Sequence, residues 1–236
     1  MPSTDRAESP TPLSSVPTPI SASPDRQKRL LLCAISPMPD DHYNLIPKVF
    51  AQIEAMACDH LTPCLAPARW RDAPTYVRAA LDEKGPFDGV LMVGHTRQTG
   101  PFRVEMRAQN LVNAKKADET GFCWPGEKIQ PVGPAFARTT APVMALVNAV
   151  QAIGLPCVAS SDAGRFLSNF MLYALLTGDD GLASDLPVGC LRAPRSLEGH
   201  NGQASGILAA DAMMQAIMTA ARAFDQALSA RAIANL

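Results

Sequence analysis

The sequence predicts an α/β fold: a three-layer sandwich in which a mostly parallel, twisted sheet carries helices on both faces. Three observations predict it. Short unbroken apolar runs recur between segments whose apolar residues fall at helical spacing. The runs barely alternate with polar residues, the mark of strands buried on both faces. With 236 residues, 47% of them hydrophobic and 18% charged, the chain can bury one sizeable core.

The elements follow in order. Residues 1–28 are rich in Ser, Pro and Thr and hold almost nothing able to build a core, so they are expected to form a disordered tail before a single domain at 29–236. Leu30-Leu31-Leu32-Cys33-Ala34-Ile35 is a buried strand. Ile46, Val49, Phe50 and Ile53 mark a helix, 61–66 a short strand, and Tyr76, Val77, Ala80 and Leu81 a second helix. Gly89-Val90-Leu91-Met92-Val93 is a strand that Gly94 should end. Residues 102–111 are expected as one strand, with Val104 and Met106 on one face and Glu105 on the other. Residues 112–138 contain Pro125, Pro131 and Pro134 and little periodicity, which suggests a long functional loop such as a lid. Thr140 should cap a helix with Pro142 in its first turn, running to about 153. A strand at 155–160, a helix at 163–177, a strand at 186–191 and an Ala/Met-rich helix at about 204–232 complete the chain.

Composition narrows the function. The formal net charge is -1 and Arg26-Gln27-Lys28-Arg29 is the one short basic run, so nucleic-acid binding is not expected. Six cysteines occur without a CxxC pair or a His at zinc-ligand spacing, so they are expected to be reduced thiols, with no metal bound. No 18-residue apolar stretch suggests a membrane span, and the first residues lack a signal-peptide pattern. A cytoplasmic protein is expected. Neither GxGxxG nor GxxxxGK[ST] follows any strand, so no nucleotide and no other cofactor is expected.

In open α/β sheets ligands bind at the carboxyl ends of strands. That rule selects residues 36–40, Gly94-His95-Thr96, residues 161–169 and residues 192–195. Within them, Ser160-Ser161-Asp162-Ala163-Gly164-Arg165-Phe166-Leu167-Ser168-Asn169-Phe170 is the most informative segment. Asp162 or Ser161 can cap a helix, Gly164 allows close backbone approach, and Ser168 falls near a helix start, where free N–H groups favour developing negative charge. Ser168 there is either a nucleophile or a surface serine beside a cap.

This segment resembles the nucleophile signature of the pyroglutamyl peptidase I family, approximately S-x-D/T-A-G-x-[FY]-[LV]-C-[ND]. Gly133-Pro134-Ala135-Phe136-Ala137-Arg138-Thr139-Thr140-Ala141-Pro142 is similar to the family's G-P-x-A-Y-x-S-T-L-P, and Cys190-Leu191-Arg192-Ala193-Pro194 to its F-I-H-V-P. Gly154-Leu155-Pro156 and Val93-Gly94 extend the resemblance, and residues 29 to 230 follow its order of elements. The resemblance implies a Cys nucleophile, a His base and a Glu that orients the His, acting to remove an N-terminal 5-oxoproline from peptides. Position by position, the Glu falls on Glu105, the Cys on Ser168 and the His on Arg192. The family's aromatic G-F-x-P-F loop corresponds to Ala34-Ile35-Ser36-Pro37-Met38, where Ile35 and Met38 keep an apolar wall, and its G-Q-A to Gly94-His95-Thr96.

Two of the three catalytic residues therefore differ. A serine hydroxyl needs an adjacent base, and a guanidinium stays protonated and cannot be one. Two expectations follow. The first is a family member without ordinary cysteine-peptidase activity, keeping a pocket for a small peptide, amide or carboxylate, or using Ser168 for altered amide hydrolysis. The second is a non-catalytic binding or scaffold protein, with an oligomeric contact through the C-terminal helix. His95 is either a base for Ser168 or a residue that bonds the loop or a ligand. Arg192 facing Glu105 suggests a structural ion pair or a carboxylate site. Ile35, Met38, Gly94, His95, Asp162 and Gly164 are the expected ligand-binding residues.

Overall fold

The computed structural model describes residues 28–177, 182–183, 185–195 and 210–234. The chain runs β1 (Leu30–Ile35), α1 (Ile46–Ala55), β2 (Leu61–Ala66), α2 (Asp72–Lys84), β3 (Gly89–His95), β4 (Phe102–Glu105), β5 (Arg107–Gln109), β6 (Phe136–Arg138), α3 (Val143–Ala152), β7 (Cys157–Ser160), α4 (Leu167–Thr177), β8 (Val188–Ala193) and α5 (Ala210–Ala234). The main sheet has the order β2-β1-β3-β8-β4-β7. Strands β1, β2, β3 and β8 run parallel; β4 pairs antiparallel with β8 and carries β7 parallel to itself. The sheet is thus mostly parallel, with two reversed strands at one edge.

Period-two alternation in β1 divides the core into two layers. Leu30, Leu32 and Ala34 pack with Ile46, Val49, Phe50 and Ile53 of α1, Leu146 and Val150 of α3, and Met213, Ile217 and Phe224 of α5. Leu31, Cys33 and Ile35 face the other way, onto Ala73 and Val77 of α2 and Phe170, Met171 and Leu172 of α4. Helices therefore cover both faces. Much of the apolar stretch of α5 is thus buried in this core. Among the described residues no helix is long and apolar enough to cross a membrane.

Several boundaries differ from the sequence reading, each for a local reason. Gly94 does not end β3, which continues to His95 because Gly94 and His95 pair with Arg192 and Ala193. For the same reason the last strand is Val188–Ala193 and not 186–191. The strand expected at 102–111 breaks at Met106. Its N–H bonds Ser160 in the main sheet and its carbonyl accepts from Thr139, so the chain passes there into the small β5–β6 sheet. Val104 and Glu105 take opposite faces of β4 as expected, both buried, but Met106 lies past the strand end and is exposed. Thr140 does not cap α3: its hydroxyl accepts the Val188 N–H at 2.8 Å, and Pro142 occupies the cap position. Helix α4 starts at Leu167, four residues late, because Gly164 has φ +78° and breaks the helical path.

The 112–138 loop is well tied down. Asp118 accepts the N–H groups of Trp70, Thr120 and Phe122, and Asn110 bonds Gln130 at both its N–H and its carbonyl. Lys28, expected in the tail, is buried, its N–H donating to Asp225 at 3.1 Å. Residues 1–27, His200 and the 204–209 start of the expected last helix lie outside the described residues.

Candidate functional site

The carboxyl ends of β1, β3 and β8 meet the turn before α4 in one cleft of about 170 Å³. Ile35, Ser36 and Met38 come from β1 and its following loop, Val93, His95 and Thr96 from β3, and Arg192 from β8. Gly164, Phe166 and Ser168 come from the turn and helix, and Lys116 from the long loop. Although β7 runs opposite to β8, residues 161–166 carry the chain back to this edge.

Position 192 shares its face of β8 with Cys190, on the α4 side of the sheet, and Glu105 lies on the same side of β4. Arg192 Nη1 approaches Glu105 Oε1 at 3.3 Å and donates to the Asp162 carbonyl at 3.0 Å. Glu105 is fully buried and Arg192 only 9% exposed. Two buried polar atoms of the pair, Glu105 Oε2 and Arg192 Nε, lack a hydrogen-bond partner among the described residues. The Arg192 side chain lies across Gly94, where a Cβ would meet its Cγ at 2.9 Å. Small size at position 94 is therefore what lets the guanidinium reach the cleft.

Ser168 is the second residue of α4 and half-buried at the cleft wall. Among the described residues, no hydrogen bond joins its hydroxyl to Arg192, Glu105 or His95. The next residue, Asn169, is wholly buried and saturated: it accepts from the Gln109 N–H at 2.8 Å and donates to the Gln109 and Leu111 carbonyls at 2.9 Å. It pins the end of β5 and Leu111, just before the long loop, to the helix that presents Ser168. Phe166 packs edge-on to Trp70 at 5.1 Å, inside an aromatic cluster with Trp124 and Phe170.

His95 Nδ1 lies 3.2 Å from Asp41 Oδ2. Burial pushes the Asp41 carboxyl up, but the His95 hydrogen bond and the nearby charges of His95, Arg97 and Lys116 outweigh it and lower its pKa. An ionised carboxylate only accepts, so Nδ1 donates and Nε2 is the free nitrogen. That Nε2 is buried without a partner among the described residues. Lys116 stands 3.7 Å over the Phe166 ring, its pKa lowered by burial and by Arg97.

Of the residues singled out by sequence, Ile35, Met38, His95, Gly164, Ser168 and Arg192 line this cleft. Glu105 lies behind Arg192, and Gly94 beneath it. Asp162 contributes its carbonyl to Arg192, while its carboxylate closes a tight turn on the Gly164 N–H at 3.0 Å and accepts from Gln109. It does not cap α4, which begins five residues later. Asp41 and Lys116 were not legible: each lies in an irregular segment with no periodicity. A carboxylate a few residues past a strand that faces a histidine was the available signal for Asp41. Among the described residues no group of three or more His, Cys, Asp or Glu could hold a metal ion.

Fold and cleft together define an α/β protein with an open cleft at its strand ends. The family model for pyroglutamyl peptidase matches residues 28–226. The pyrrolidone-carboxylate peptidase of Clavibacter michiganensis is 38% identical over 100 residues, 42% of this chain and 46% of that one. That of Escherichia fergusonii is 30% identical over 157 residues, 65% of this chain and 72% of that one. The match thus spans less than half of the first relative and under three quarters of the second. The pyroglutamyl peptidase I structure from Bacillus amyloliquefaciens superposes with a TM-score of 0.75 at 23% identity, covering 84% of this chain and 97% of that one. The Thermococcus litoralis pyrrolidone carboxyl peptidase gives 0.73 at 21% identity, with 84% and 93% covered. The chain belongs to the pyroglutamyl peptidase family.

Proposed function

We propose that this family member keeps the small-ligand cleft but lacks the thiol–imidazole chemistry of a cysteine peptidase. One observation carries the reading: where a base would stand, Arg192 is bound to Glu105 and to the Asp162 carbonyl. A guanidinium so held cannot accept the Ser168 proton, and a hydroxyl without a base is a poor nucleophile. The ligand is a small peptide, amide or carboxylate bound against Ile35 and Met38. Six cysteines, all free, accord with a reducing, cytoplasmic setting.

A second reading rests on His95. Its Nδ1 is held by Asp41, its Nε2 is free, and it shares the cleft with Ser168. That is the order of parts in a Ser-His-Asp hydrolase, and it supports altered amide hydrolysis at Ser168.

Assay of a chromogenic 5-oxoprolyl amide separates the two. The first reading expects no turnover by wild type and turnover by Ser168→Cys/Arg192→His. Turnover by wild type that is lost in both Ser168→Ala and His95→Gln would establish the second. No turnover by either protein points to a non-catalytic cleft remodelled for another ligand.

A further inference from the structure

We propose that the cleft takes a small organic carboxylate, a conclusion that rests on the reading above that the cleft still binds a ligand. The charges lining it carry the inference. Arg97, Lys116, Arg165 and Arg192 are cationic and Asp41 alone is anionic, in a chain of net charge -1. The cleft is therefore positive within a slightly acidic protein.

Two of these four cations have ion-pair partners and two, Lys116 and the exposed Arg165, have none among the described residues. Arg97 is bound to Asp40 at 2.9 Å, and Arg192 to Glu105 through Nη1. Lys116 forms no ion pair among the described residues and is set over the Phe166 ring at the cleft wall. Arg192 Nη2, the nitrogen nearest Gly164, makes no hydrogen bond among them either. The buried Arg192 Nε also goes unpaired among the described residues, and buried polar atoms are rarely left so without a ligand or water. A carboxylate brings two acceptor oxygens to such donors, whereas a neutral amide brings one.

The walls argue for an organic body on that anion. Ile35, Met38, Val93 and Phe166 are apolar and flank the cations. Inorganic phosphate would leave them wet.

Calorimetric titration of the full chain tests this with 5-oxoprolinate, lactate and benzoate as anions, and 5-oxoprolinamide and inorganic phosphate as counter-probes. At least one carboxylate is expected to bind about ten-fold tighter than the amide. Lys116→Met should weaken that binding about ten-fold and leave the amide unchanged, while Lys116→Arg keeps it. Equal binding of acid and amide, tighter binding of phosphate, an unchanged acid affinity in Lys116→Met, or no carboxylate binding at millimolar concentration would overturn the proposal. Wild-type turnover of a 5-oxoprolyl amide would overturn only the preceding reading and leave this comparison standing.

Discussion

Arg192 Nη1 lies 3.3 Å from Glu105 Oε1, and the carboxylate it meets is wholly buried. The floor of the cleft is thus an ion pair, fixed by a further bond from the guanidinium to the Asp162 carbonyl. Such a pair is held in place because losing one partner strands the other.

That asymmetry gives the first prediction. Glu105→Ala leaves a buried guanidinium without its counter-charge and should cost about 3–5 kcal/mol in urea unfolding. Glu105→Leu/Arg192→Met, which removes both charges, should lie near wild-type stability. Equal stability of Glu105→Ala and wild type would mean the pair contributes nothing.

The close approach of Arg192 to β3 gives the second. A Cβ at position 94 would meet Arg192 Cγ at 2.9 Å. Gly94→Ala should therefore destabilise by about 1–3 kcal/mol and displace the guanidinium from Glu105. Combining it with Arg192→Ala should recover most of that loss, as a double-mutant cycle would show.

Much of this arrangement was legible beforehand. Unbroken runs such as Leu30 to Ile35 announce strands buried on both faces, and helical spacing at Ile46, Val49, Phe50 and Ile53 announces a covering helix. The rule of strand ends gathers Met38, His95, Ser168 and Arg192 from the sequence alone. What pattern could not supply is partner choice. The break at Met106, the reversal of β4 and β7, and the diversion of Thr140 to Val188 are decided by long-range hydrogen bonds that leave no local periodicity. Asp41 and Lys116 were missed for the same reason.

Acid should loosen the long loop. Burial raises the Asp118 pKa, but hydrogen bonds from Thr120, Trp70 and Phe122 outweigh it, so the folded value is depressed. A depressed carboxyl stabilises the fold above its unfolded pKa of about 3.9, and that stability is lost as pH falls through the folded value. Asp118→Asn should flatten the fall in stability below about pH 4, measured by urea midpoints across that range.

The thiols should divide by exposure. Burial pushes Cys33 and Cys190 well up, and Cys64 and Cys157 up to about 11, leaving few thiolates at neutral pH. Cys123 is exposed and Cys58 partly so. Maleimide labelling followed by mass spectrometry should modify Cys123 first, then Cys58, and the other four only in denaturant.

The central claim is that this cleft lacks peptidase chemistry because Ser168 has no base in bonding contact and Arg192 is committed to Glu105. Steady-state hydrolysis of a chromogenic 5-oxoprolyl amide by the wild-type protein, with Ser168→Ala as the background, tests it most directly. The account predicts that the two rates coincide. A wild-type rate well above that of Ser168→Ala would contradict it.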